Sequence, residues 1–316
     1  MTELRTIWSR ISAFILLTTS VALAAGPAAD SAVPDSSMDQ LPAFLLEIPD
    51  SITDVLVADT GSATLYRFGI AGNRVVAQDR RYMSIGLKGA GKERAWDRRT
   101  PLGVYFITEK LDTRGLDAKY GDAAYPLDYP NAWDQYRERT GYGIWLHGVD
   151  RNLPRRPPLD TDGCLSLPNE ELMSLAEHLQ PMLTPVIVAR QLQWLDTSAI
   201  EQRRLEFRIA LDMWRRSLEQ QDLVAYLALY DDEFRHNGLG KREWSSFRYG
   251  VFANRSLAGI EISDVLLLAD PEEPDLYLSR FTQVLKGEDG PVTTIKRIYW
   301  KRRPDAQWRI VSEDNG

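Results

Sequence analysis

The 316-residue chain is poor in the side chains that most often carry chemistry. It has one cysteine, Cys164, and three histidines, His147, His178 and His236. One thiol cannot close an internal disulfide, so no covalent staple is available to the fold. The same scarcity offers no cluster of the three or four ligands that zinc needs, and no metal or other cofactor is expected. Positive charge is in deficit: 38 Lys and Arg against 45 Asp and Glu leave a net charge of −7, which argues against a nucleic-acid partner. Past the first 25 residues no apolar run is long enough for a membrane-spanning helix. No internal repeat is visible. What is present suffices for real cores, with 44% hydrophobic and 10% aromatic residues.

The N-terminus, "MTELRTIWSRISAFILLTTSVALAAGPAAD", has Arg5 and Arg10, an apolar run over residues 11–25, and the small-x-small signal Ala22-Leu23-Ala24. These parts compose a secretory signal peptide over residues 1–24. The apolar run is shorter than the roughly 20 residues that span a bilayer, so no membrane span is expected after cleavage. Export to the periplasm makes a lone thiol a liability unless it is buried or used. The mature length of about 290 residues suggests two domains. Residues 25–45 read as a flexible leader. The first domain is expected over 46–192, a linker over 193–204 and the second domain over 205–316.

"LPAFLLEIPDSI" reads as a short apolar element of helical character. "DVLVAD", "ATLYRF" and "RVVAQDRRYMSIG" read as strands separated by Gly-containing turns. Further strands are expected at 103–109, at 143–146 and in "TPVIVAR". "NEELMSLAEHL" places Leu172, Leu175, Ala176 and Leu179 on one helical face. Beyond Leu192 the pattern turns helical, with Leu211, Trp214 and Leu218 aligned and "KREWSSFRYGVFAN" a further helix. Strand-like runs then continue to the C-terminus. Helices followed by an antiparallel sheet give an α+β domain.

The chemistry concentrates in "GIWLHGVDRNLPRRPPLDTDGCLSLPNEEL", where Cys164 follows His147 by seventeen residues. A free thiol is only a few per cent ionised at neutral pH, and a nearby imidazole can take its proton. Gly163 allows close approach of substrate and frees main-chain N–H groups for an oxyanion. His147 ends a strand-like run, a rigid mount for a general base. Its second ring nitrogen needs an acceptor to fix the tautomer. The competing reading is an inert buried cysteine, the commoner fate of this residue.

"IWLHG" followed by "TDGCLSLPN" resembles the active-site signature of the YkuD-type L,D-transpeptidases. "WDRRTPLGVYFI" and "VLVADTGSATLYRF" resemble that family's Asp-x-x-Thr-Pro-x-Gly-x-Tyr stretch and opening hairpin. "YPNAWD" resembles the subgroup of L,D-carboxypeptidases and lipoprotein-releasing enzymes. The resemblance spans residues 50–190. It implies a β-rich catalytic domain that acts on peptidoglycan stem peptides. Cys164 would attack the third-residue carbonyl and expel a D-amino acid. His147 would act as base and then acid, the Gly148 carbonyl as the third triad member, and the N–H groups of Gly163 and Cys164 as the oxyanion hole. Many relatives have His where Asp162 stands, and Arg or Asn where Ser166 stands. The second domain resembles the nuclear-transport-factor-like (SnoaL-like) cone, with helices on a curved antiparallel sheet. That likeness implies substrate positioning or a homodimer through this domain.

Arg151, Arg155 and Arg156 are candidates to hold a stem-peptide carboxylate, against the alternative of a solvated loop. Tyr129, Asn131 and Thr161 are candidate substrate contacts, with aromatic packing the alternative for Tyr129. His178 and His236 read as surface or packing residues. The rival to the enzyme reading is a wall-binding scaffold that has lost turnover, with Asp162 as the suggestive defect.

Overall fold

The computed structural model describes residues 40–71, 74–254, 257–287 and 290–316. The expected signal peptide and most of the expected leader lie outside the described residues. "DVLVAD" forms the strand Asp54–Asp59, buried at every position. Its side chains alternate between two cores, Leu56 and Ala58 facing one, Val55 and Val57 the other. A strand apolar on both faces belongs inside a sheet. It is the third of five, in the order Arg74–Tyr82, Thr64–Ala71, Asp54–Asp59, Pro185–Ala189, Gly103–Phe106. Pro185–Ala189 runs parallel to it, with Val186 beside Leu56. Parallel neighbours require a long crossover. Here that crossover is residues 60–184, and it carries both His147 and Cys164.

Within the crossover, the short helix α1 (Ala132–Tyr136) precedes the strand Trp145–His147. That strand is the middle of a small sheet. It pairs antiparallel with Ala124–Pro126 and parallel with Leu165–Ser166. Tyr125, Leu146 and Leu165 seat this sheet on the core that contains Leu56. Helix α2 (Asn169–Ala176) closes the core with Leu172 and Leu175, the face its periodicity marks.

In the second domain, helix α3 (Thr197–Glu219) buries Phe207, Leu211, Trp214 and Leu218 along one stripe. With α4 (Leu223–Ala228) and α5 (Lys241–Asn254) it packs on a seven-stranded sheet. The strand order is Leu239–Gly240, Tyr230–His236, Trp308–Asn315, Gly290–Arg302, Leu276–Gly287, Leu257–Ala269, Leu45–Glu47. This is the expected α+β arrangement. Leu266, Leu268, Tyr299 and Val311 share one core with Val55, Val57 and Ile187 of the first sheet. No helix among the described residues is long and apolar enough to cross a membrane.

Three expectations need correction. "LPAFLLEI" is not helical: it forms the strands Gln40–Pro42 and Leu45–Glu47, the second joined to the sheet of the other domain. Its apolar residues face a distant partner strand, which local periodicity does not encode. Residues 193–204 are not a free linker but the strand Trp194–Asp196 and the first turns of α3. The strand expected at 143–146 begins at Trp145 and includes His147, because Gly143 takes a positive φ of 71°.

Candidate active site

Parallel pairing sets Ser166 beside His147 and Leu165 beside Leu146, so Cys164 lies just before the strand next to that of the histidine. Both residues line one cleft of about 640 Å³. Gly163, before the cysteine, has φ 130°, and a Cβ there would meet the Arg99 carbonyl oxygen at 2.7 Å. Only glycine fits that turn. Thr161 ties it together: its hydroxyl donates to the Cys164 carbonyl at 2.7 Å and accepts from the Gly163 N–H at 3.1 Å. The Gly163 N–H is therefore engaged within the turn and is not free for an oxyanion, which corrects its expected role. The sulfur itself accepts from the Trp145 N–H, 3.4 Å from Sγ. The thiol points to the Gly143 carbonyl at 3.5 Å.

His147 is buried at 3% exposure. Its Nδ1 lies 2.6 Å from the Gly148 carbonyl oxygen. A carbonyl only accepts, so Nδ1 carries the proton and Nε2 is left bare as a base. Ser166 Oγ donates to the same carbonyl at 2.8 Å and fixes it. Asn169 holds the segment beneath. Its Oδ1 accepts from the Asp122 and Val149 N–H groups at 3.1 and 3.2 Å, and its Nδ2 donates to the Val149 carbonyl at 2.8 Å. A Cβ on Gly148 would come within 2.1 Å of that Oδ1. The Tyr120 ring stands edge-on to the imidazole at 5.2 Å.

Burial sets the electrostatics. It pulls His147 down to about 4, with Arg156 and Lys119 acting the same way and the Gly148 carbonyl opposing. Burial pushes the Cys164 thiol up to about 11. Asp162 adds to that rise, and the Trp145 N–H, Lys119 and Arg156 oppose it. At neutral pH the pair rests as thiol and neutral imidazole. Asp162 also lines the cleft, 74% exposed, with Arg98 Nε at 3.2 Å from its Oδ1.

Of the other candidates, Thr161 and Arg156 line the cleft. Arg156 reaches the Asp160 carboxylate at 3.6 Å, and its buried Nε has no hydrogen-bond partner. Arg151 does not line the cleft and is paired with Asp122 at 2.6 Å. Arg155 lies over the Tyr82 ring, 3.9 Å from its centroid. Tyr129 and Asn131 are also misplaced as substrate contacts. Tyr129 is buried against Tyr105 and donates to the Thr140 carbonyl at 3.0 Å. Asn131 caps α1 in a reciprocal capping box with Asp134 and donates to the Val104 carbonyl at 2.9 Å. The spacing Asn-x-x-Asp was the available signal for that role. Sequence reasoning missed Trp96, Arg98, Lys119, Tyr120, Tyr142 and Trp145, all of which line the cleft. Trp96 and Arg98 stand in the recognisable "WDRRTPLG" stretch. Trp145 stands in the "IWLHG" signature itself, at the start of the strand that ends on His147, whereas Lys119, Tyr120 and Tyr142 come from connecting segments with no motif of their own. Among the described residues no group of three His, Cys, Asp or Glu side chains is placed to hold a metal ion.

Comparison with known proteins gives three results. Residues 53–188 match the family model of the YkuD L,D-transpeptidase catalytic domain, and residues 206–314 that of the Cds6 C-terminal NTF2-like domain. Among solved structures, Bd1075 of Bdellovibrio bacteriovorus is 25% identical, with a TM-score of 0.73, over 88% of this chain and 98% of that one. The helical cell shape determining protein Pgp2 of Campylobacter jejuni is 22% identical, with a TM-score of 0.73, over 86% and 95%. No curated protein sequence matches the chain. The crossover that holds Cys164 and His147 thus belongs to a YkuD L,D-transpeptidase catalytic domain, and the helices and sheet that follow it are an NTF2-like domain.

Proposed function

We propose that the protein is a periplasmic cysteine acyl-transfer enzyme acting on peptidoglycan stem peptides. The observation that carries this reading is the His147 Nδ1 contact of 2.6 Å with the Gly148 carbonyl, which leaves Nε2 free as a base in the cleft that also holds Cys164. In the reaction, Nε2 takes the thiol proton as Sγ attacks the third-residue carbonyl carbon. The C–N bond to the D-amino acid breaks, and the departing amine receives that proton. Water then cleaves the thioester in an L,D-carboxypeptidase, or an amine of a second stem does so in an L,D-transpeptidase. The imidazole is unprotonated before substrate arrives, so it can accept the thiol proton as attack proceeds. Lys119 and Arg156 bring positive charge to the same cleft and suit the carboxylate of a stem peptide. That Pgp2 is a cell shape determining protein supports a role in wall architecture.

A wall-binding scaffold is the rival reading, and the thiol contact with Gly143 rather than with the imidazole favours it. The two are separated by mass spectrometry of tetrapeptide stems incubated with purified protein. The enzyme removes the terminal D-residue, and Cys164→Ala and His147→Ala each lower that rate by about a thousandfold or more. Binding that survives both changes, with no product under water or amine acceptors, establishes the scaffold instead.

A further inference from the structure

Two large rings stand at the rim of the cleft and cover no core. Trp96 is 84% exposed and Tyr142 76% exposed. Their centroids lie 6.4 Å apart at an interplanar angle of 79°, so the two faces form a corner. Trp96 is held there against its backbone preference. Its φ is 65° and that of Arg98 is 58°, a region that side chains larger than glycine avoid. Such conformations persist only where the surroundings over-determine them, and they gather at binding sites.

The surroundings here are built around Asp97. Its carboxylate accepts from Lys92 Nζ at 2.7 Å and from the N–H groups of Glu93, Arg94 and Arg99 at 2.8, 3.0 and 3.1 Å. Lys92 is itself buried, at 3% exposure. The Tyr142 segment is tied to this loop. The Ala95 N–H donates to Thr140 Oγ1 at 3.1 Å, and the Thr140 N–H donates to the Glu93 carbonyl at 2.9 Å. Gly141, at φ 116°, lets the segments touch: a Cβ there would meet Lys92 Cε at 3.0 Å. Two rigid, cross-tied loops therefore each display one ring to solvent. Tyr142 adjoins Gly143, whose carbonyl receives the Cys164 thiol, so the platform abuts the sulfur end of the cleft.

We propose that Trp96 and Tyr142 form a stacking platform for a sugar ring of the glycan strand that carries the stem peptide. The inference rests on the peptidoglycan reading above and adds a second part of the substrate to it. A stem peptide attacked at its third residue remains attached to sugar through its first. Three extended residues reach about 10 Å from the scissile carbonyl, which brings the sugar to a cleft rim. The C–H face of a pyranose is apolar and flat, and it matches the electron-rich face of an indole or phenol. Rigid presentation limits the ordering entropy on binding.

The test compares kcat/KM for a free tetrapeptide and for the same tetrapeptide linked to its disaccharide. The wild-type protein is expected to prefer the disaccharide form by at least about tenfold, and Trp96→Ala and Tyr142→Ala to pull that ratio towards one. A wild-type ratio near one overturns the platform, as does a preference that survives both substitutions or a Trp96→Ala loss equal on the two substrates. Turnover of the free tetrapeptide reports separately on the enzyme reading. If neither substrate turns over, the same ratio is measured as affinity by calorimetry, with and without Trp96→Ala, and judged the same way. Both rings are exposed, so a folding defect does not confuse the result.

Discussion

At the scale of single residues, two buried groups define the working range of the site. With His147 drawn down to about 4 and Cys164 raised to about 11, the acid limb of kcat/KM should fall near pH 4, well below the 6.5 of a free imidazole. Stability carries the same signature with a definite sign. Between about pH 6.5 and 4 the unfolded chain binds a proton on this side chain and the folded chain does not. Stability is therefore lost as pH falls through that window, by roughly 3 kcal/mol for this group at its full extent. His147→Asn removes the titration. Urea unfolding at pH 7 and pH 4.5 should show a smaller loss in the variant than in the wild type. An equal loss in both would mean that the imidazole is not shielded from water.

At the scale of elements, the site depends on how α2 begins. Asn169, its first residue, bonds the backbone just after His147 with both ends of its amide. Asn169→Ala strands the N–H groups of Asp122 and Val149 and the Val149 carbonyl. It should cost about 2 kcal/mol and lower kcat more than KM rises, because the base loses its alignment while the cleft keeps its walls. Thermal denaturation and steady-state kinetics check the two parts. The helices α2 and α3 were legible because their apolar residues repeat at the helical period, and the strand DVLVAD because it is a short apolar run closed by a Gly-containing turn. Cys164 and His147 were legible as a pair because their neighbours are turn-forming and strand-ending residues. The strand Leu45–Glu47 was not, since its partner Leu267–Leu268 lies in the other domain. Nor were Tyr120 and Tyr142, whose place in the cleft comes from loops brought together by the parallel crossover. Tyr129 and Asn131 were read as groove residues because aromatic and amide side chains serve packing and capping equally well.

At the scale of the whole molecule, the two domains share a core and an ionic contact. Leu268 and Val311 pack with Val55 and Ile187, and Arg297 of the second domain joins Asp128 of the first as well as Asp314. Melting followed by tryptophan fluorescence and by far-ultraviolet circular dichroism should give one coincident transition. Leu268→Ala should move that single transition, at a cost of about 2–5 kcal/mol. Two separate transitions, with only the later one shifted, would show that the domains unfold independently. Residues 45–47 complete the edge of a sheet whose other strands are synthesised last. A ribosome emitting this chain therefore delivers the clasp long before the garment it fastens. The near end must wait, unpaired, until the far end exists, and no catalytic half trimmed at residue 192 should close properly around its sulfur.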